Sequence, residues 1–340
     1  MPDRPDLTLK LALQGGGSHG AFTWGVLDAL LENERLSFDA VSGASAGAMN
    51  AVALAQGWME GGREGARRAL RRYWTALAQA LPLDGAVHGA DGGVHLAPAI
   101  KLWQLWSHVV TPAQVNPLGL HPLRDIVESQ FDFEGLRARS PMALHIAATH
   151  ANSGRLRLFR EWELSADSLL ASACLPTVFP TLEIDGEPYW DGGYAANPAV
   201  FPLLEGGAGR DVLLVLLSPL DLVPLAPRDG AAALHERIAE IAFTAAFRRE
   251  MQALARRRAH PAPRWWPFPW GRDGAARARF HLIAAQPSLD HLAGETRMAI
   301  SQKFFESLHG LGREAAAQWM RSHLDAVGRR DSVDLRARFA

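Results

Sequence analysis

The chain has 340 residues, 48% of them hydrophobic, and a formal net charge of −1. It is long enough to enclose a substantial core, which excludes a disordered chain, and its balanced charge offers no global field for a polyanion, which excludes nucleic-acid binding as its main task. Its one cysteine, Cys174, rules out an intramolecular disulfide and fits a reducing, cytoplasmic setting, and no run approaches the roughly 20 apolar residues of a spanning helix.

The opening Met-Pro-Asp-Arg-Pro-Asp leads into an apolar stretch too short for the centre of a secretory signal. Leu9 to Leu13 then reads as a buried strand, and Ala21 to Leu31 as a helix through Phe22, Val26, Ala29 and Leu30. Between them stands Gly15-Gly16-Gly17-Ser18-His19-Gly20. The same plan repeats at once: Phe38 to Val41 is a strand, Ser42-Gly43-Ala44-Ser45-Ala46-Gly47 a turn, and Ala48 to Gln56 a small-residue helix ending near Gly57. A further helical pattern covers Gly62 to Ala80.

Residues 81–120, rich in Gly, Pro and His, read as an inserted cap. Within it Leu96, Ile100, Trp103 and Val110 share one side of an amphipathic helix that also contains Trp106, so it is either a lid or a packed cap. Strands are predicted over Met142 to Ala148 and Arg155 to Phe159, joined by Asn152-Ser153-Gly154, and a helix over Ser165 to Ala173. Leu182 to Ile184 and Tyr189-Trp190 flank Asp185-Gly186 as a hairpin. Asp211 to Ser218 is apolar on both faces, as a central parallel strand is. Helices over Ala231 to Arg258 and Thr296 to Leu324 and a strand over Phe280 to Ala284 complete the pattern, with residues 256–280 an Arg/Trp/Pro-rich surface loop. The alternation predicts an α/β fold with a mostly parallel central sheet and helices on both faces. The length allows one large domain or two modest ones.

Gly15, Gly17 and Gly20 satisfy a dinucleotide-binding spacing, which requires an acidic residue at the end of the second strand. Asp39 is at the right distance but precedes the apolar part of its strand, so that fingerprint fails. Gly43-Ala44-Ser45-Ala46-Gly47 is a G-x-S-x-G sequence between a strand and a helix, the setting of a nucleophile elbow. The alternative is a tight turn whose serine caps the helix. A catalytic serine needs a base and donors for the oxyanion. In an α/β-hydrolase the elbow follows several strands, whereas here it follows the second.

Gly15 to Gly20, Gly43 to Gly47 and Asp191-Gly192-Gly193, in that order, resemble the three motifs of the patatin-like phospholipases, over about Leu9 to Asp211. Ala171-Ser172-Ala173-Cys174-Leu175-Pro176 ahead of Phe179-Pro180 resembles the family's segment before the aspartate. The resemblance implies one domain, a three-layer α/β/α sandwich over residues 1–330. It implies a serine and aspartate dyad without histidine, with Ser45 as nucleophile, Asp191 as base and the N–H groups of Gly16 and Gly17 as oxyanion donors. It implies a lipid ester substrate, whether phospholipid, lysophospholipid or acylglycerol, and no metal or organic cofactor. Gln14 and His19 depart from it, since many members carry Arg or Lys at the latter position. An aspartate of ordinary pKa, about 3.9, is a feeble base, and burial against Tyr189, Trp190 and the glycine turns is expected to raise it.

Two rivals stand beside this reading. One is a Ser-His-Asp hydrolase using His281 or His291. The other is a membrane-binding protein with a vestigial site, suggested by nine arginines against two acids from Phe247 to Phe280, with Trp265, Trp266 and Trp270 among them. Peripheral membrane contact is open under either reading, and the oligomeric state is not legible.

Overall fold

A computed structural model describes residues 7–80, 86–88, 94–97, 122–206, 209–221, 224, 230–259, 277–289, 292 and 294–339. Most of the cap segment, including Trp103 and Trp106, lies outside the described residues, as do Trp265, Trp266, Trp270 and His291.

The strands are β1 (Leu7–Leu13), β2 (Leu36–Ala44), β3 (Ala86–His88), β4 (Val94–Leu96), β5 (Ala143–His150), β6 (Leu156–Arg160), β7 (Leu182–Ile184), β8 (Glu187–Asp191), β9 (Asp211–Leu216) and β10 (Arg279–Ala284). The helices are α1 (Gly20–Leu31), α2 (Ala46–Gln79), α3 (Pro122–Gln130), α4 (Phe133–Arg139), α5 (Ala166–Ser172), α6 (Ala231–Ala259), α7 (Gln302–His323) and α8 (Leu335–Phe339). Eight strands form one sheet in the order β10-β9-β1-β2-β5-β8-β7, with β6 also paired to β5. The run β10-β9-β1-β2-β5 is parallel, and β6, β7 and β8 complete the sheet antiparallel. Strands β3 and β4 form a separate antiparallel pair.

The apolar run of β9 explains the layers. Leu213 and Val215 face a core shared with α1, α2 and α7, through residues such as Phe22, Leu27, Trp74 and Phe305. Val212, Leu214 and Leu216 face the other way, onto Phe247, Met251 and Leu254 of α6 and Leu335 and Phe339 of α8. Both faces are covered, so the strand reads as continuously apolar rather than alternating. β1 is less apolar than its run suggests. Lys10 is buried within it, its ammonium donating to the carbonyl of Leu203 at 2.8 Å and to that of Gly206 at 2.5 Å.

Two elements differ in their ends from the sequence pattern. The helix expected to stop near Gly57 runs on to a break at Gly61 and Gly62, after which the second expected helix, from Gly62, follows to Gln79. The helix expected from Thr296 begins only at Gln302, and Gly294–Met298 is a 3-10 turn. Helices α3, α4 and α8 were not among the expected elements, although Leu123, Ile126 and Val127 give α3 a helical apolar spacing. Among the described residues no helix is long and apolar enough to cross a membrane.

One buried acid ties three helices together. Asp28 of α1 accepts from Arg67 of α2 at 2.8 Å and from Arg313 of α7, while the His309 ring faces it at 3.3 Å. Burial alone would raise its pKa, but His309, Arg67 and Arg313 together hold it well below the usual carboxylate range. Such a group adds stability that is complete above its unfolded value near pH 4 and is lost as the pH falls. Asp28→Asn is therefore expected to lower the free energy of unfolding in urea by about 2 to 3 kcal/mol at neutral pH. The gap between parent and variant is expected to narrow as the pH falls from about 5 to about 2.

Candidate active site

Ser45 stands between the last residue of β2 and the first of α2, at φ 53° and ψ −125°. A side chain in this region is strained, so surrounding contacts must hold it. They do: its N–H donates to the carbonyl of Ser172 at 3.0 Å and to the Ser172 hydroxyl at 3.1 Å. The elbow is also close to its neighbours, for a Cβ on Gly47 would lie 2.2 Å from the carbonyl oxygen of Leu13. Ser45 makes no side-chain cap to α2, so its hydroxyl is not spent as a helix cap. The positive end of the α2 dipole lies at the same point.

Asp191 ends β8, and its neighbour on β5 is Ala148, one residue past Ala147, which pairs with Ala44 of β2. Ser45 and Asp191 therefore emerge on either side of β5 at its C-terminal end. Asp191 is 0% exposed. Its backbone is pinned by N–H donation to Cys174 carbonyl at 2.8 Å and by the Thr149 hydroxyl, which donates to its carbonyl at 2.8 Å. Its Oδ1 accepts the Gly193 N–H at 2.7 Å. Burial pushes the carboxyl up to about 7, against the opposing pull of the Gly193 N–H and the Ser45 hydroxyl. The buried Oδ2 has no hydrogen-bond partner among the described residues, and the Ser45 hydroxyl is near enough to oppose the rise.

The third part is the turn after β1. Gly15 is tight against the elbow: a Cβ there would lie 2.8 Å from that of Ser45. Gly16 leads into a 3-10 turn, Gly17–His19, and α1 starts at Gly20. Among the described residues neither the Gly16 nor the Gly17 N–H donates to a protein acceptor. The sheet order leaves β1 by β2 on one side and by β9 on the other, so these amides lie at the switch point where open α/β sheets hold ligands.

The family model of the patatin-like phospholipases matches residues 11–204. The chain belongs to this family. The patatin-like phospholipases are lipid-acting hydrolases, and the matched span carries all three parts of the site. Among solved structures, VipD from Legionella pneumophila is similar at a TM-score of 0.41 and 14% identity, over 94% of this chain and 67% of that one. The ExoU component of the heterodimeric ExoU–SpcU complex from the type III secretion system of Pseudomonas aeruginosa is similar at a TM-score of 0.36 and 15% identity, over 95% of this chain and 53% of that one. The chain thus spans about two thirds of the first and about half of the second. No curated protein sequence matches it.

Within this patatin-like site, the segment ahead of the aspartate that resembles the family's own has a structural task. Ser172, which ends α5, and Cys174 just beyond it hold the serine and the aspartate respectively. The Cys174 thiol itself is buried, donates to the Pro180 carbonyl at 3.2 Å and is pushed up to about 11 by burial. His19 is buried with its Nε2 2.8 Å from the Thr296 hydroxyl. Burial and then the charge of Arg297 drive its pKa down to about 3, so it is neutral at physiological pH. The 3-10 turn holding Arg297 lies over the glycine loop, where a Cβ on Gly17, at φ +57°, would meet the Arg297 carbonyl at 2.3 Å.

The structure does not bring His281 to the elbow. It sits on β10, three strands from β2, with one ring nitrogen 3.0 Å from Asp211 and the other 2.9 Å from the Ser332 hydroxyl. Asp211 begins β9, at the end of the sheet opposite Ser45, and also binds Arg279. Asp39, the dinucleotide candidate, accepts from Gly209 N–H at 2.9 Å instead. His281→Ala is expected to lower the melting temperature while leaving fluorophosphonate labelling of Ser45 within about threefold of the parent. Loss of labelling in a folded variant would instead return His281 to the mechanism.

Proposed function

We propose that the protein hydrolyses carboxyl esters of lipids, whether phospholipid, lysophospholipid or acylglycerol, through a Ser45 acyl-enzyme with Asp191 as its only base. The observation that supports it is a buried carboxylate that, among the described residues, has no cationic partner and one oxygen without a hydrogen bond, beside the hydroxyl of a strained elbow serine. Asp191 Oδ2 takes the Ser45 proton as Oγ attacks the ester carbonyl. The Gly16 and Gly17 N–H groups receive the oxyanion, each donor of this kind lowering a barrier by roughly 3 kcal/mol. The tetrahedral species collapses, protonated Asp191 gives its proton to the leaving alcohol, and the acyl group stays on Ser45. Water, deprotonated by the same carboxylate, then attacks the acyl carbonyl, and the proton returns to Ser45 as the fatty acid leaves.

The raised pKa matters to the first step. Moving a carboxyl from its ordinary value to about 7 narrows the proton-transfer gap to a serine by about three units, or about 4 kcal/mol. Because the substrate ester lies in a lipid assembly, the protein would work at a membrane or micelle surface. A reducing, cytoplasmic setting agrees with the single cysteine.

Ser45→Ala is expected to abolish both fluorophosphonate labelling and hydrolysis of a lipid panel. Asp191→Asn is expected to reduce turnover by about 10³-fold or more. The base must be ionised, so kcat/KM of the parent is expected to rise with pH through a midpoint near 7, set by the free carboxyl. Labelling that persists in Ser45→Ala, or a flat profile from pH 5 to 9, would contradict the assignment.

A further inference from the structure

Gly15, Gly16 and Gly17 have no side chains with which to hold themselves, yet their amides must be fixed to a few tenths of an ångström for an oxyanion to be received. One buried carboxamide holds the first of them. Asn197, 2% exposed, accepts the Gly15 N–H on Oδ1 at 2.7 Å and faces the Gly15 carbonyl with Nδ2 at 3.4 Å. Both backbone polar groups of a single residue, one from each of the two peptides that flank it, are thus taken by one side chain. The Asn197 carbonyl in turn accepts from Gln14 Nε2 at 3.3 Å, and Gln14 Oε1 accepts the N–H groups of Leu217 at 2.6 Å and Ser218 at 2.8 Å.

Asn197 is also on the segment that leaves Asp191, just after the turn Gly192–Tyr194. Gly15, which it grips, is the residue pressed against Ser45. One short stretch of chain therefore carries the carboxylate at one end and the grip on the oxyanion loop at the other, with the serine between them.

We propose that Asn197 is a positioning residue for ester hydrolysis, setting the Gly16 and Gly17 amides relative to Ser45 by clamping the Gly15 peptide, with Gln14 steadying the clamp from the end of β9. The inference rests on the esterase reading above. It assigns Asn197 no contact with substrate. Its loss is expected to leave the serine and the aspartate in place and to let the donors drift, an effect that falls on the transition state rather than on substrate binding.

The test compares the parent with Ser45→Ala, Asn197→Ala and Asn197→Asp on p-nitrophenyl butyrate at pH 8, together with amide hydrogen exchange of a peptide spanning Gln14 to His19. The expected result is a silent Ser45→Ala and an Asn197→Ala whose kcat falls about 10²-fold with KM within about twofold, as displaced oxyanion donors produce. Exchange is expected to quicken in the glycine-loop peptide alone. Asn197→Asp keeps an acceptor for the Gly15 N–H and is expected to recover about tenfold of the lost kcat. An Asn197→Ala protein that melts earlier but keeps kcat within about threefold would overturn the proposal, leaving Asn197 a mere strap. Should that variant fail to fold, the Asp variant decides alone: kcat about tenfold below the parent at unchanged KM supports the clamp, and parental kcat overturns it. If Ser45→Ala still turns over, the esterase reading itself falls and this inference goes with it.

Discussion

A carboxylate sealed from water, with no cation beside it among the described residues, is the constraint on which the rest of the structure depends. Among those residues Asp191 meets the Gly193 N–H and the Ser45 hydroxyl, with the Cys174 thiol and the Tyr194 phenol near enough to feel its charge. A charged carboxyl in such a place is costly, so its proton is held far more tightly than in water. In a Ser-His-Asp triad the aspartate stays ionised and the imidazole moves the proton. Among the described residues no histidine bonds to Asp191, and under the proposed reading the environment itself brings the acid into the range where a carboxylate can exchange a proton near neutral pH.

That environment is made by packing distant pieces of chain against one strand end. β5 separates Ser45 from Asp191, the Ser172–Cys174 segment fastens a backbone bond to each of them, and the glycine loop closes from the β1 side. Each contact is close enough that a methyl group would collide, as at Gly47 against Leu13 and Gly15 against Ser45. The strain at Ser45 is held by these neighbours rather than by the turn alone. On the far face and at the opposite end of the sheet, ion pairs such as Arg279 with Asp211 and Arg258 with Asp331 serve the frame and not the site.

Much of the frame was legible because the physics is local. A strand covered on both faces must be apolar throughout, and the β9 run says so; a strand that ends in glycines and continues as a helix says where a sharp turn lies, and the chain says it twice. The family resemblance, rather than any spacing, named Asp191 and Gly15 to Gly17 beside Ser45, and the strand pairing puts them at one end of the sheet. What stayed hidden depends on partners far along the chain. Lys10 lies buried in a strand because two carbonyls near residue 205 receive it. Asn197 looks like an ordinary turn residue until Gly15 is found against it. The helical period continues through residues 296–301, but contact with the glycine loop holds the preceding residues in a 3-10 turn instead.

The most direct measurement is a crystal structure of the protein inactivated with an alkyl fluorophosphonate, whose adduct copies the charge and shape of the tetrahedral species. The account predicts phosphorus bonded to Ser45 Oγ, its anionic oxygen within about 3 Å of the Gly16 and Gly17 nitrogens, and the Asp191 carboxyl beside the serine oxygen. An adduct on another residue, or on Ser45 with its oxygen turned away from those amides, would contradict it.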